Sequence, residues 1–165
     1  MKVGLFYHSN TGNTRKIASL IEERIRGLKI AIEMIEIHPQ KRPNFITGRY
    51  SALMNKALPV TNDNFNMSPY DLILIGFPLW VGKPSPFITT FLNNATNVAG
   101  KKIACFFTYA NDPIHQQAIK EKLEQVAKEK QFHLVKRMLP LKMKHGAILS
   151  GEKKINGFIV DLFTK

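Results

Sequence analysis

Residues 71–80 read DLILIGFPLW, the most continuous apolar run in the chain. A strand with one wet face alternates polar and apolar residues, whereas an uninterrupted run belongs to a strand covered on both faces. Such a strand needs helices above and below it, and the rest of the sequence supplies them. KVGLFYH (2–8) is a short apolar run bounded by turn formers. From Arg15 the period changes: Ile17, Leu20, Ile21, Ile25 and Leu28 recur every three or four residues, with Glu22, Glu23, Arg24 and Arg26 between them. This predicts an amphipathic helix ending near Gly27. IAIEMIEI (30–37) is a further strand, interrupted by Glu33 and Glu36. PSPFITTFLNNA opens on prolines that suit a helix's first turn. KKIACFFTYA (101–110) is another buried strand, and residues 114–130 form a helix with Ile119, Leu123, Val126 and Ala127 as its stripe.

FHLVKRMLPLKMK (132–144) reads as the last strand, and Pro140 assigns it to an edge or a bulge because proline cannot donate to a ladder. GEKKINGFIVDLFTK closes the chain as a helix, with Gly157 as its weak point. Strands alternating with helices predict a three-layer α/β fold: a doubly wound, five-stranded parallel sheet in the order 2-1-3-4-5. The 165 residues are expected to form one domain, 1–165. Residues 38–70 are long for a single connection; GRYSALMNKAL within them fits a short helix and the remainder a polar loop.

In that strand order ligands bind at the carboxyl ends of the first and third strands. The loops brought there are SNTGNT, after His8, and PLWVGKPSP, after Phe77. A loop feeding a helix N-terminus presents unpaired N–H groups and the positive end of the helix dipole, so it suits an anion. Ser9, Thr11 and Thr14 add hydroxyls, Asn10 and Asn13 add amides, and Gly12 allows a positive φ or a close backbone approach. The composition alone fits a polar turn with Ser/Thr capping equally well. Neither a nucleoside-triphosphate loop nor a dinucleotide fingerprint is present. Trp80, the chain's one tryptophan, stands at the third strand's end beside Gly82. On a rigid loop it would be a stacking platform for a flat ring; in the core it would simply pack.

FYHSNTGNTRKIA resembles the FMN phosphate loop of flavodoxins, and GFPLWVGKPSPFITTFL resembles their isoalloxazine-contacting loop. The likeness follows the order of elements along essentially the whole chain. It implies noncovalent FMN and single-electron carriage. Ser9, Asn10, Thr11, Gly12, Asn13 and Thr14 would then hold phosphate, and Pro78, Leu79, Trp80, Val81 and Gly82 would line the flavin. The loop after the fourth strand, TYANDP, departs from the family's pattern; Tyr109, Ala110 and Asn111 are its candidates for flanking the ring or ribityl chain. Gly82, or a neighbouring peptide, is expected to turn its carbonyl toward flavin N5–H on one-electron reduction.

The charge departs from the family more strongly. Twenty-four Lys and Arg against twelve Asp and Glu give +12, densest in VKRMLPLKMKHGAILSGEKK (135–154). Flavodoxins are typically acidic. Lys83 and Arg15 are the cations expected near the ring, where they would make reduction easier; charges beyond about 10 Å are screened. The basic surface suits a redox partner that is acidic at its docking face. Two other functions stay open: an FMN-dependent NAD(P)H or quinone oxidoreductase, and a flavin-free adaptor for an acidic partner or nucleic acid, although no nucleic-acid motif is present. No apolar stretch reaches the ~20 residues of a membrane span, and the first apolar run is too short for a signal peptide. A single cysteine forms no internal disulfide and fits a reducing, cytoplasmic setting. Cys105 is expected as inert core, His8 as structural, and the histidines show no metal-ligand spacing. No nucleophile–base pair is present, so the chemistry would be the cofactor's.

Overall fold

The computed structural model describes residues 1–41, 43–110, 116–135 and 137–163. In chain order the elements are β1 (Lys2–Tyr7), α1 (Asn13–Gly27), β2 (Ala31–Glu36), α2 (Phe45–Leu53), β3 (Leu72–Trp80), β4 (Lys83–Pro84), α3 (Pro86–Asn94), β5 (Lys102–Tyr109), α4 (Gln116–Lys130), β6 (His133–Leu134), β7 (Leu139–Lys144), β8 (Ala147–Ser150) and α5 (Lys154–Phe163). The sheet runs β2-β1-β3-β5-β7-β8. The first five of these are mutually parallel and give the expected 2-1-3-4-5 order; β8 is antiparallel to β7.

The uninterrupted apolar run of β3 has the expected cause. Leu72 and Leu74 enter one core with Ile17, Ile21 and Ile25 of α1 and Phe158 and Leu162 of α5. Ile73, Ile75 and Phe77 enter the other, with Phe87 and Phe91 of α3 and Ile119 and Leu123 of α4. Both faces of β3 are therefore dry, and β5 alternates in the same way, with Ala104 and Phe106 on one side and Cys105 and Phe107 on the other. Close packing leaves Gly76 no side chain: a Cβ there would fall 2.2 Å from Phe106 Cζ. Strand β2 lies at the sheet edge, which accommodates Glu33 in an ion pair with Lys2 (2.7 Å).

The C-terminal part differs from the sequence reading. The single last strand expected over 132–144 is two pieces, β6 and β7, and β7 is not the edge. His145 and Gly146 both take positive φ (47° and 80°) and turn the chain back after two residues. That backbone matches the twist of a hairpin, and β8 follows along β7. Pro140 is accommodated because β8 pairs with β7 only from Lys142 onward, where the register also shifts. The Pro140 carbonyl lies against Gly151. A strand residue's N–H and C=O point to the same side, so the missing donor faces a ladder that has already ended. The short helix expected within 48–58 is α2, starting slightly earlier at Phe45, with Asn44 Oδ1 accepting from Thr47 N–H (2.8 Å) as its cap.

Candidate functional site

The ends of β1, β3 and β5 bring three loops to one rim. Tyr7 of β1 is level with Gly76 of β3, and His8 N–H continues the pairing by donating to Gly76 O (3.0 Å). Strand β3 then runs four residues further, Phe77–Trp80, about 13 Å at 3.3 Å per residue. This overshoot stands as a wall beside the loop that leaves β1. On the other side Pro78 is level with Thr108 of β5.

The first loop is built around the start of α1. Gly12 is its N-cap, left-handed at φ 85°, with open space where a Cβ would be. Gly12 O accepts the first helical bond, from Lys16 N–H (2.9 Å), and Ser9 Oγ accepts from Arg15 N–H (3.1 Å). Capping therefore occupies Ser9 as an acceptor, while its own O–H stays available. The N–H groups of Asn13 and Thr14 lie ahead of the helical ladder. Asn10 and Thr11 are exposed, and their side chains make no hydrogen bond among the described residues. The other two side chains are partly engaged. Thr14 is buried, with Oγ1 2.9 Å from Thr108 Oγ1; this pair holds two hydroxyl protons and uses one. Asn13 Oδ1 accepts from Gly146 N–H (3.2 Å), which leaves its NH2.

Arg15 adds no unbalanced charge to this loop. Its guanidinium grips Glu36 through Nε (3.1 Å) and Nη2 (2.9 and 2.7 Å), and Tyr7 Oη donates to Glu36 Oε2 (3.1 Å). Burial, opposed by the Arg15 contact, pushes the Tyr7 phenol up. The donor set facing the rim is thus neutral.

The second loop is a two-residue hairpin. Trp80 pairs with Lys83, and Val81 and Gly82 between them both have positive φ (53° and 73°). A β-branched residue at positive φ is an outlier that carries backbone strain. The sequence left Trp80 between an exposed platform and the core; the indole is half-buried. It packs edge-on against His8 (5.8 Å between centroids) and Phe87 (6.0 Å), and a Cβ at Gly48 would be 3.0 Å from its Cζ3. Pro78 and Leu79 are likewise half-buried, and Val81 is exposed. Lys83, expected near the ring, has its Nζ donating to Leu53 O (2.7 Å) at the C-terminus of α2, where a cation suits the helix dipole. His8, set aside as structural, joins the two loops. It is buried, its Nδ1 lies 3.0 Å from Ser85 Oγ, and its ring meets Phe87 at 4.6 Å. Burial, with His38 nearby, lowers its pKa to about 4.

At the third loop Tyr109 is half-buried, 6.4 Å from the Phe107 ring, and Ala110 is exposed. Asn111 lies outside the described residues. Cys105 is fully buried, and burial pushes its thiol up to about 12, in keeping with an inert core position. Among the described residues no three His, Cys, Asp or Glu side chains could hold a metal ion, and no helix is long and apolar enough to cross a membrane.

A model of a flavodoxin family matches residues 2–139. The chain belongs to the flavodoxin family. The matched residues end where β7 begins, so the β7–β8 hairpin and α5 lie beyond them. Among solved structures, a Lactobacillus acidophilus flavoprotein in complex with FMN superposes with a TM-score of 0.70 at 22% identity, over 94% of this chain and 97% of that one. Oxidised flavodoxin 2 from Bacillus cereus gives 0.66 at 21% identity over 98% and 97%. A flavodoxin of Streptococcus pneumoniae gives 0.62 at 14% identity over 98% and 97%. These likenesses carry the fold. No curated protein matches the sequence.

Arg15 and Lys83, the two cations expected near the ring, both have partners in the structure. One is neutralised by Glu36 and the other caps α2. A helix N-terminus with a left-handed glycine, two unladdered N–H groups and neutral hydroxyl and amide donors fits a phosphate group. His8 is structural, as expected, but its partner was not legible in the sequence, because Ser85 is 77 residues away.

Proposed function

We propose that this flavodoxin-family protein binds FMN noncovalently and carries electrons between redox partners. The observation that carries the reading is the N-terminus of α1. It opens beside the overshoot of β3, where Ser9 Oγ takes only the Arg15 N–H and Gly12 faces open space. Asn13 and Thr14 N–H, the Ser9 and Thr11 hydroxyls and the Asn10 and Asn13 amides would hold the phosphate as neutral donors, and the helix dipole favours its charge. Pro78 to Gly82 would border the ring on one side, with Tyr109 and Ala110 on the other. FMN, when bound, supplies the one-electron chemistry, and the protein supplies position and surroundings.

The test is an absorption spectrum of the purified protein, followed by titration of FMN fluorescence with the apoprotein. Flavin absorption and stoichiometric quenching support the reading; colourless protein that leaves FMN fluorescence unchanged overturns it. Steady-state NAD(P)H oxidation with a quinone acceptor then separates a carrier from an oxidoreductase, because only the enzyme turns over both.

A further inference from the structure

The β7–β8 hairpin lies beyond the residues that the family model matches, yet it touches the start of α1. Its turn residue Gly146 is held at both ends by that helix. Gly146 N–H donates to Asn13 Oδ1 (3.2 Å), and Gly146 O accepts from Lys16 Nζ (2.7 Å). Asn13 and Lys16 stand at i and i+3, so they are neighbours on the helix surface. Both sides of this tie rest on one core. Leu141 and Met143 of β7 are buried there with Ile17 and Ile21 of α1, and Ile148 of β8 packs against the same cluster. The next residue of the helix, Thr14, is held in turn by Thr108 of β5 (2.9 Å).

An asparagine with no such restraint presents either end of its amide. The terminal torsion is broad and roughly two-fold, and the oxygen end can only accept, so it offers an anion nothing. In this chain the choice is made. A backbone N–H donates to Oδ1, which identifies the oxygen and leaves Nδ2 as the other end. Among the described residues Nδ2 has no partner and no buried side-chain nitrogen lacks one, so Nδ2 faces solvent.

We propose that Gly146 is a positioning residue for the phosphate site: by holding Asn13 Oδ1 it leaves the NH2 end of that side chain as the end offered to the phosphate. This role rests on the FMN reading above. Fixing the amide before the ligand arrives spares the ordering cost that an unrestrained side chain pays on binding. The C-terminal hairpin thereby takes part in a site whose ligating groups all come from other elements.

The experiment is a fluorescence titration of the full-length protein with FMN and with riboflavin, which lacks the phosphate. Gly146 takes φ 80°, so Gly146→Val forces a β-branched residue into a left-handed position and displaces the N–H. The variant is expected to weaken FMN binding about fivefold and to leave riboflavin binding unchanged. In an Asn13→Ala background the same substitution is expected to cost nothing further for FMN, because Gly146 acts through Asn13. Equal loss for FMN and riboflavin, an undiminished loss in the Asn13→Ala background, or no loss of FMN affinity overturns the role. Thermal unfolding of each variant identifies loss of fold. Gly146→Ala, whose methyl meets open space, replaces Gly146→Val if the latter does not fold. If the wild type binds no FMN, the FMN reading falls, and amide exchange in the apoprotein decides the tie. Gly146 N–H exchanging more slowly in wild type than in Asn13→Ala supports it; equal exchange overturns it.

Discussion

His8 Nδ1 lies 3.0 Å from Ser85 Oγ, a buried contact between residues 77 apart in the chain. Ser85 is the N-cap of α3, yet its hydroxyl makes no capping bond; it meets His8 instead. The ring thereby joins the loop after β1 to the segment after the Trp80 hairpin. It also supports the indole edge-on at 5.8 Å between centroids.

The burial of His8 makes stability pH-dependent. The His8 pKa is lowered from 6.5 to about 4, chiefly by burial. Between those values the unfolded chain binds more protons than the folded one, so stability rises with pH across that window. The contribution is fully present above pH 6.5 and is lost as pH falls toward 4, up to about 3 kcal/mol. Chemical denaturation of wild type and His8→Gln between pH 4 and 7 checks this. Parallel pH profiles for the two proteins would rule out His8 as the source.

Val81 sits at φ 53° with its side chain 44% exposed, so little packing compensates its backbone strain. Two-residue hairpins of this kind favour Asn followed by Gly. Val81→Asn should therefore stabilise the protein by about 1 kcal/mol. A urea midpoint that rises at unchanged slope is the expected result; an unchanged or lower midpoint contradicts it.

Gly12→Ala places a methyl on a left-handed residue at φ 85°. The fold should lose about 1 kcal/mol, and FMN affinity should fall as the loop relaxes and its N–H groups move. Fluorescence titration beside thermal unfolding separates the two effects. A stability loss with unchanged FMN affinity would remove Gly12 from the phosphate site.

Lys83→Met tests whether the basic character of the chain reaches the flavin. Because Nζ caps α2 at Leu53 O, the variant should lose about 0.5–1 kcal/mol of stability. The midpoint potentials of bound FMN should stay as in wild type. Shifted potentials with full stability would return Lys83 to the ring.

Much of this molecule was legible in local patterns. The apolar run of β3 announced a strand dry on both faces, and the three- and four-residue spacing of Ile17, Ile21 and Ile25 announced the helix that covers one of them. Burial of a periodic face is a property of neighbouring residues, so periodicity reports it. The parallel order and the two loops at the strand ends followed from that alternation. The β7–β8 hairpin was missed because HisGly at a turn is a weak hairpin signal, and the apolar pattern ran past Pro140 without marking the break.

By itself the sequence determined the layers, the strand order and the position of a polar loop at the start of α1. Only the tertiary structure decided what each side chain in that loop is free to do. Thr14 meets Thr108 across 94 residues, Asn13 meets Gly146 across 133, and Arg15 meets Glu36 across 21. Lys83 reaches Leu53, and His8 reaches Ser85. These partners depend on where distant strands end relative to one another, and no local periodicity encodes that. The physical outcome is a loop of neutral donors at the start of α1 on a strongly basic chain.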